Sequence, residues 1–127
     1  MKVSIITIVY NNAPCIESCI QSVLSQTYPN IEHVIIDGGS TDGTQAIIEN
    51  YRSQVGYFIS EKDKGLYNAL NKGIKAATGD VIGILHSDDL FYETNTISKI
   101  VDAFKTSAAD LVYANGMYVE RDRKSVV

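Results

Sequence analysis

Asp88 and Asp89 are the residues of this sequence best placed to do chemistry. They are adjacent acids, separated from the apolar run 81–85 by only His86 and Ser87. Two neighbouring carboxylates at the end of a buried strand repel each other and are costly to strip of water. A hard divalent cation removes that cost. Mg²⁺ or Mn²⁺ takes one or two carboxylates and completes its shell with phosphate and water. The other reading of the pair is a turn or helix-capping acid on a solvated loop.

Further polar residues close apolar runs in the same way. Tyr10 and Asn11 end the run that begins at Val3, and Asp37 ends the run 31–37. Asp37 has two readings. It meets a ribose or base, as the acid after the second strand does in dinucleotide-binding folds, or it begins a turn. In an open parallel sheet ligands bind at the carboxyl ends of the strands, so three such ends converging on one crevice weigh more than any single motif. Two phosphate-binding signatures are missing. Asn11-Asn12-Ala13-Pro14 stands where a glycine-rich GxGxxG loop would follow the first strand, which argues against a nicotinamide or flavin cofactor. The P-loop pattern GxxxxGK[ST] is also absent. His86 reads as a packed or partly exposed strand-end histidine rather than a catalytic one. Tyr57 and Tyr67 read as packing residues. Lys62, Lys64 and Lys72 read as a solvated face from which any one can meet a phosphate.

Elements must hold these residues in place. The β-branched run 3–10 predicts a strand covered on both faces. Pro14 suits the first turn of a helix, and Ile16, Ile20, Val23 and Leu24 follow at helical spacing until Tyr28-Pro29-Asn30. A second buried strand spans 31–37. Ser40 or Thr41 is placed to cap the next helix, whose body carries Ala46, Ile47, Ile48 and Tyr51. Residues 57–59 form a short third strand. Leu66, Ala69, Leu70, Gly73, Ile74 and Ala77 make one face of a third helix, which ends at Gly79. A fourth strand covers 81–85, and Thr94 caps a fourth helix with Ile97, Ile100, Val101 and Phe104 inward. Fifth and sixth strands are expected at 111–113 and 117–119. Strand and helix in alternation imply right-handed crossovers and a mainly parallel sheet.

The chain has 127 residues, of which 45% are hydrophobic, which is the scale of one domain with a real core. Its net charge of −4 makes it a poor non-specific nucleic-acid binder. An anionic ligand would need a local device such as a helix N-terminus or a metal ion. Cys15 and Cys19 stand four apart in the first helix. With only His33 and His86 as further soft ligands, the spacing of a zinc site is incomplete. Cys19 reads as a small core residue, and free thiols suit the cytoplasm. The N-terminal run is too short to span a bilayer and carries no cleavage site. The charged tail from Glu120 to Val127 adds no clear closing element.

Taken together, the motifs resemble glycosyltransferase family 2, inverting enzymes of the GT-A fold. The resemblance is carried by Val3-Ser4-Ile5-Ile6-Thr7-Ile8-Val9-Tyr10-Asn11, by Ser22-Val23-Leu24-Ser25-Gln26-Thr27-Tyr28-Pro29-Asn30 and by Asp37-Gly38-Gly39-Ser40-Thr41-Asp42-Gly43-Thr44. It continues through Glu61-Lys62-Asp63-Lys64-Gly65-Leu66-Tyr67-Asn68-Ala69-Leu70-Asn71-Lys72-Gly73, Ala77-Thr78-Gly79-Asp80 and Leu85-His86-Ser87-Asp88-Asp89. These stretches cover almost the whole chain in order. The segment from Glu61 to Tyr67 is similar to transferases of surface-polysaccharide assembly, such as those of colanic acid.

The resemblance implies an α/β, Rossmann-like fold with a mainly parallel sheet and helices on both faces, C-terminally truncated, with 1–127 as its nucleotide-sugar-binding part. It implies transfer of a sugar from a nucleoside diphosphate sugar to a hydroxyl of a saccharide or lipid-linked saccharide, with inversion. Polysaccharide biosynthesis is the implied setting, in the cytoplasm with the parent protein peripheral to the inner face of the membrane. By position, Tyr10 and Asn11 would lie beside the base and Asp37 at the base or ribose. Asp63 and Asn68 would border the nucleotide pocket, with Lys72 near it. Asp88 would approach the ribose, and Asp89 would bind the Mg²⁺ or Mn²⁺ that bridges the diphosphate. The catalytic base, a carboxylate, is expected downstream of residue 127, so the chain as given should bind donor and transfer it poorly. Glu120 and Asp122 are the only acids in the tail. Many members read Asp-Asp-Gly-Ser where this chain has Asp37-Gly38-Gly39-Ser40, which leaves the preferred nucleotide open. A sugar-nucleotide pyrophosphorylase would want a glycine-rich basic loop after the first strand, which is lacking. A non-catalytic nucleotide-binding module is the third reading, against which the intact acid pair speaks.

Overall fold

A computed structural model describes residues 1–107, 111–114 and 117–120. The order of elements is β1 (Val3–Val9), α1 (Ala13–Leu24), β2 (Ile31–Asp37), α2 (Thr44–Glu49), β3 (Tyr57–Ser60), α3 (Leu66–Ala76), β4 (Val81–Ile84), α4 (Thr96–Ser107), β5 (Leu111–Ala114) and β6 (Met117–Glu120). The strands form one sheet in the order β3-β2-β1-β4-β6-β5. β1 pairs in parallel with β2 and with β4, and β2 pairs in parallel with β3. β6 is antiparallel to both β4 and β5. Strand order reverses beside β1: β2 lies on one side of it and β4 on the other. The crevice at the carboxyl ends of β1 and β4 is therefore the switch point where such sheets take ligands.

Alternation along β1 divides the core. Val3, Ile5 and Val9 point to the face covered by α1, α2 and α4, where Cys19, Ile20, Ile48, Ile97 and Phe104 are wholly buried. Ile6 points to the opposite face, against Val34, Ile36, Ala69 and Ala77. Burying each large aliphatic side chain contributes about 1.5–3 kcal/mol. α3 covers its face with small residues and therefore lies close to the sheet. A Cβ on Gly73 would come within 2.7 Å of Ile6 Cγ2.

Four local expectations give way to tertiary contacts. Neither Ser40 nor Thr41 caps α2, whose N-cap is Gly43 at φ 100 with no side-chain cap bond. The Ser40 hydroxyl is bonded to Asp37, while Asp42 Oδ1 takes the Thr44 amide at 3.1 Å and its hydroxyl at 2.5 Å. α4 begins at Thr96 rather than being capped by Thr94, whose carbonyl receives the Thr27 amide at 2.7 Å. Leu66 is 55% exposed rather than part of the α3 core face. Tyr67 is 82% exposed and so is not a packing residue, whereas Tyr57, 39% exposed, is covered over most of its surface.

Candidate functional site

The β1–α1 loop is stitched to the β2–α2 loop by the residues expected to meet a ligand. Asn11 has φ 47, a left-handed conformation that asparagine tolerates better than most side chains. Its amide donates to Ser40 Oγ at 2.8 Å, and its Oδ1 accepts from the Thr41 amide at 2.8 Å. The Asn12 and Ala13 amides donate to Thr44 Oγ1 and Asp42 Oδ2, both at 3.1 Å. Asn12 Nδ2 donates to Ser87 Oγ at 3.0 Å and so ties this loop to the end of β4.

Asp37 is fully buried, and its carboxylate is saturated from within the chain. It accepts from the amides of Gly39 at 3.2 Å and Ser40 at 2.9 Å, and from the hydroxyls of Ser40 at 2.5 Å and Ser60 at 2.7 Å. Gln45 Nε2 adds a fifth donor at 3.3 Å. The turn-forming reading of Asp37 is the one this geometry fits, because a base or ribose would have to displace donors already in place. Nothing beside Asp37 in the sequence marks this, because Ser60 and Gln45 reach it from other elements.

Beside that loop lies a cavity of about 390 Å³, lined by Ile8, Val9, Tyr10, Gly38, Lys62, Asp63, Gly65, Leu66 and Ala69. Tyr10 is 63% exposed at its mouth. Leu66, missed as a site residue, is exposed here because it lines the opening. Lys72 Nζ reaches Asp63 Oδ1 at 2.6 Å and Glu61 Oε1 at 2.8 Å. Those two acids hold its ammonium above the usual lysine range. Lys72 is thus engaged with carboxylates. Asn68 Oδ1 accepts the Lys64 amide at 3.1 Å and shapes the turn into α3.

The acid pair presents the opposite situation to Asp37. Asp88 and Asp89 are both exposed. Among the described residues no side-chain hydrogen bond or ion pair engages either carboxylate. The Asp89 amide donates to the His86 carbonyl at 3.0 Å, which makes the turn that presents them. Beneath that turn the Cys19 thiol points to the same carbonyl at 3.7 Å. Burial pushes this thiol up to about 11, the Thr7 hydroxyl opposes the shift, and the charges of Asp89 and Asp88 add to it. Cys19 is accordingly an inert core residue at ordinary pH. His86 is exposed at the same turn.

The donor set fits a hard divalent ion. Two free adjacent carboxylates supply what Mg²⁺ or Mn²⁺ takes from protein when phosphate and water complete the shell. Among the described residues no three His, Cys, Asp or Glu side chains gather into an all-protein cage. Glu120, whose backbone ends β6, and Asp122 are the two acids of the tail; the side chain of the first and the whole of the second lie outside the described residues. No described helix is long and apolar enough to cross a membrane.

Comparison with known proteins converges on one family. The model of glycosyl transferase family 2 matches residues 4–126. An uncharacterized glycosyltransferase of Mycobacterium tuberculosis is 39% identical over 102 residues, which is 80% of this chain and 39% of the relative. A PGL/p-HBAD biosynthesis glycosyltransferase of Mycobacterium bovis is 35% identical over 117 residues, 88% of this chain and 45% of that one. The chain thus spans about two fifths of the length of these relatives. Among solved structures, a mannosyltransferase of Pyrobaculum calidifontis in complex with GDP-Man and Mn²⁺ superposes with a TM-score of 0.85 at 21% identity, over 94% of this chain and 44% of that one. TarS of S. aureus in complex with UDP-GlcNAc gives a TM-score of 0.79 at 27% identity, over 87% and 33%. The expected GT-A architecture, with helices on both faces of a mainly parallel sheet, is the architecture found.

Proposed function

The chain belongs to glycosyl transferase family 2, and from that premise we propose that its switch-point crevice binds the nucleoside diphosphate of a sugar donor with Mg²⁺ or Mn²⁺ held at Asp89 and Asp88. The observation that carries this reading is the contrast between strand ends. The carboxylate of Asp37 is consumed by five donors, whereas those of Asp88 and Asp89 stand free at the neighbouring strand end. Adjacent free carboxylates repel each other, and a bound divalent cation would relieve that repulsion.

In this reading the base lies in the cavity at Tyr10, Gly38 and Asp63, and the diphosphate runs from there towards Asp88 and Asp89. Asn11 and Asp37 build the wall between by holding the β1–α1 and β2–α2 loops together. Asn68 sets the turn before α3, and Lys72 orients Asp63. A divalent ion bound at Asp89 would neutralise charge developing on the leaving diphosphate. The whole protein would pass the sugar, with inversion, to a hydroxyl of a saccharide or lipid-linked saccharide in polysaccharide assembly, in the cytoplasm at the inner face of the membrane. The named relatives support a nucleotide-sugar donor: one solved structure holds GDP-Man with Mn²⁺ and another UDP-GlcNAc.

Calorimetric titration of a panel of nucleoside diphosphate sugars, with Mn²⁺ and then with EDTA, tests the reading. At least one donor should bind with Mn²⁺ and lose most of its affinity with EDTA. Equal affinity in both conditions for every donor that binds would remove the metal from the account, and binding of none would remove the donor.

A further inference from the structure

Gly38 is a glycine for reasons of space. Unlike Gly39 and Gly43, with φ 87 and 100, it is not among the residues in the left-handed region, so its backbone does not call for glycine. A Cβ there would meet Asp63 Oδ2 at 3.1 Å and Tyr10 Cδ1 at 3.4 Å. The missing side chain lets a carboxylate and an aromatic ring close on one point of the cavity wall.

The carboxylate so placed is held by one oxygen and open at the other. The Asp63 side chain is only 11% exposed, and its Oδ1 receives Lys72 Nζ at 2.6 Å. Lys72 is itself fixed from a second side by Glu61 at 2.8 Å. Oδ2 engages no hydrogen-bond donor among the described residues and faces the cavity side, beside Gly38 and Tyr10. Apart from Lys62 and Asp63 itself, the cavity lining is aromatic, aliphatic or glycine, which strengthens any charge-assisted bond made there.

A fixed carboxylate oxygen in such a wall selects for a donor. Uracil, thymine and guanine carry a hydrogen on the ring nitrogen of their pairing edge. Cytosine and adenine present a lone pair at that position, which a carboxylate repels. A site built to bond an N–H rejects the analogue lacking it, because its own polar group is left unpaired.

Resting on the donor-binding reading above, we propose that Asp63, oriented by Lys72 and given room by Gly38, reads the nucleobase through its ring N–H and restricts the donor to uracil, thymine or guanine nucleotides. Lys72 is then a positioning residue whose charge is spent on Asp63 and Glu61. The selectivity resides in the α3 side of the pocket, away from the acid pair.

Calorimetry of the chain with UDP, GDP, CDP and ADP in Mn²⁺ tests this. UDP or GDP should bind about 10- to 100-fold more tightly than CDP and ADP, the worth of one hydrogen bond to a charged group. Asp63→Asn should bring the four affinities to within about 3-fold of one another, since the amide can also donate, and should leave the Mn²⁺ dependence intact. Lys72→Met should lower the same ratio, with a thermal melt confirming that each variant is folded. Wild-type affinities within about 3-fold of each other, below the worth of such a bond, would overturn the assignment and leave metal-dependent donor binding standing. A wild-type ratio retained by folded Asp63→Asn would do the same. Binding of none of the four would overturn both.

Discussion

Asp37 and Asp89 are the same residue type at two strand ends, and their surroundings give them different work. Asp37 is enclosed by five donors, so Asp37→Ala leaves the buried amide of Ser40 and the half-buried amide of Gly39 without this partner. It should lower stability by about 1–3 kcal/mol, read as a drop in thermal midpoint, while the folded fraction keeps its metal-dependent nucleotide affinity. A folded variant with weakened affinity would return Asp37 to the ligand. His33 is a second residue with a definite signature. It is buried, its Nε2 shares a hydrogen bond with Thr7 Oγ1 at 2.8 Å, and its Nδ1 has no partner among the described residues. Burial lowers its titration from 6.5 to about 3. The unfolded chain therefore binds the extra proton between those values. The stability from a neutral His33 is fully present above about pH 6.5 and is lost as pH falls towards 3, by up to about 1.4 kcal/mol per pH unit. Melting curves at pH 7 and pH 5 should show that loss in the wild type and much less of it in His33→Gln. Equal pH sensitivity in both would assign the acid lability elsewhere.

At the scale of elements, the α3–sheet contact gives the sharpest expectation. Gly73→Ala improves helix propensity by about 1 kcal/mol, yet it drives a methyl into Ile6 across a gap of 2.7 Å. Overpacking of this kind costs about 1–3 kcal/mol, so the variant should melt at or below the wild-type temperature. A clear rise in midpoint would show that α3 has freedom to retreat. Most elements were legible in the sequence because each has a single period: β-branched runs for β1 and β2, i, i+3, i+4 spacing for α1. What was not legible is what neighbours supply. Ser40 is a good cap by type, but Asp37 claims its hydroxyl, and Asp42 takes over at α2. Thr94 precedes α4 by two residues because its carbonyl is tied to the Thr27 amide. Leu66 follows helical spacing into the core pattern, yet it stands at the first turn of α3 and lines the cavity beside Ile8 and Val9 of β1.

At the scale of the molecule, alternation of strand and helix foretold the parallel part of the sheet, and the polar residues at strand ends mark where the proposed site lies. The pattern could not show that β6 would insert between β4 and β5. Nor could it show which strand-end oxygens remain free, since that depends on residues distant in sequence such as Ser60, Gln45 and Lys72. The free acid pair at the switch point is the centre of the proposed site. Its most direct test is titration of the tightest-binding nucleoside diphosphate against wild-type and Asp89→Asn protein, each with Mn²⁺ and with EDTA. Asp89→Asn keeps shape and removes charge at an exposed position, so its melting midpoint should stay near that of the wild type. Wild-type affinity should fall by at least about 10-fold on removing the metal, and the variant should bind with the same weak affinity in both conditions. A folded Asp89→Asn protein with undiminished Mn²⁺-dependent affinity would contradict the account at its centre.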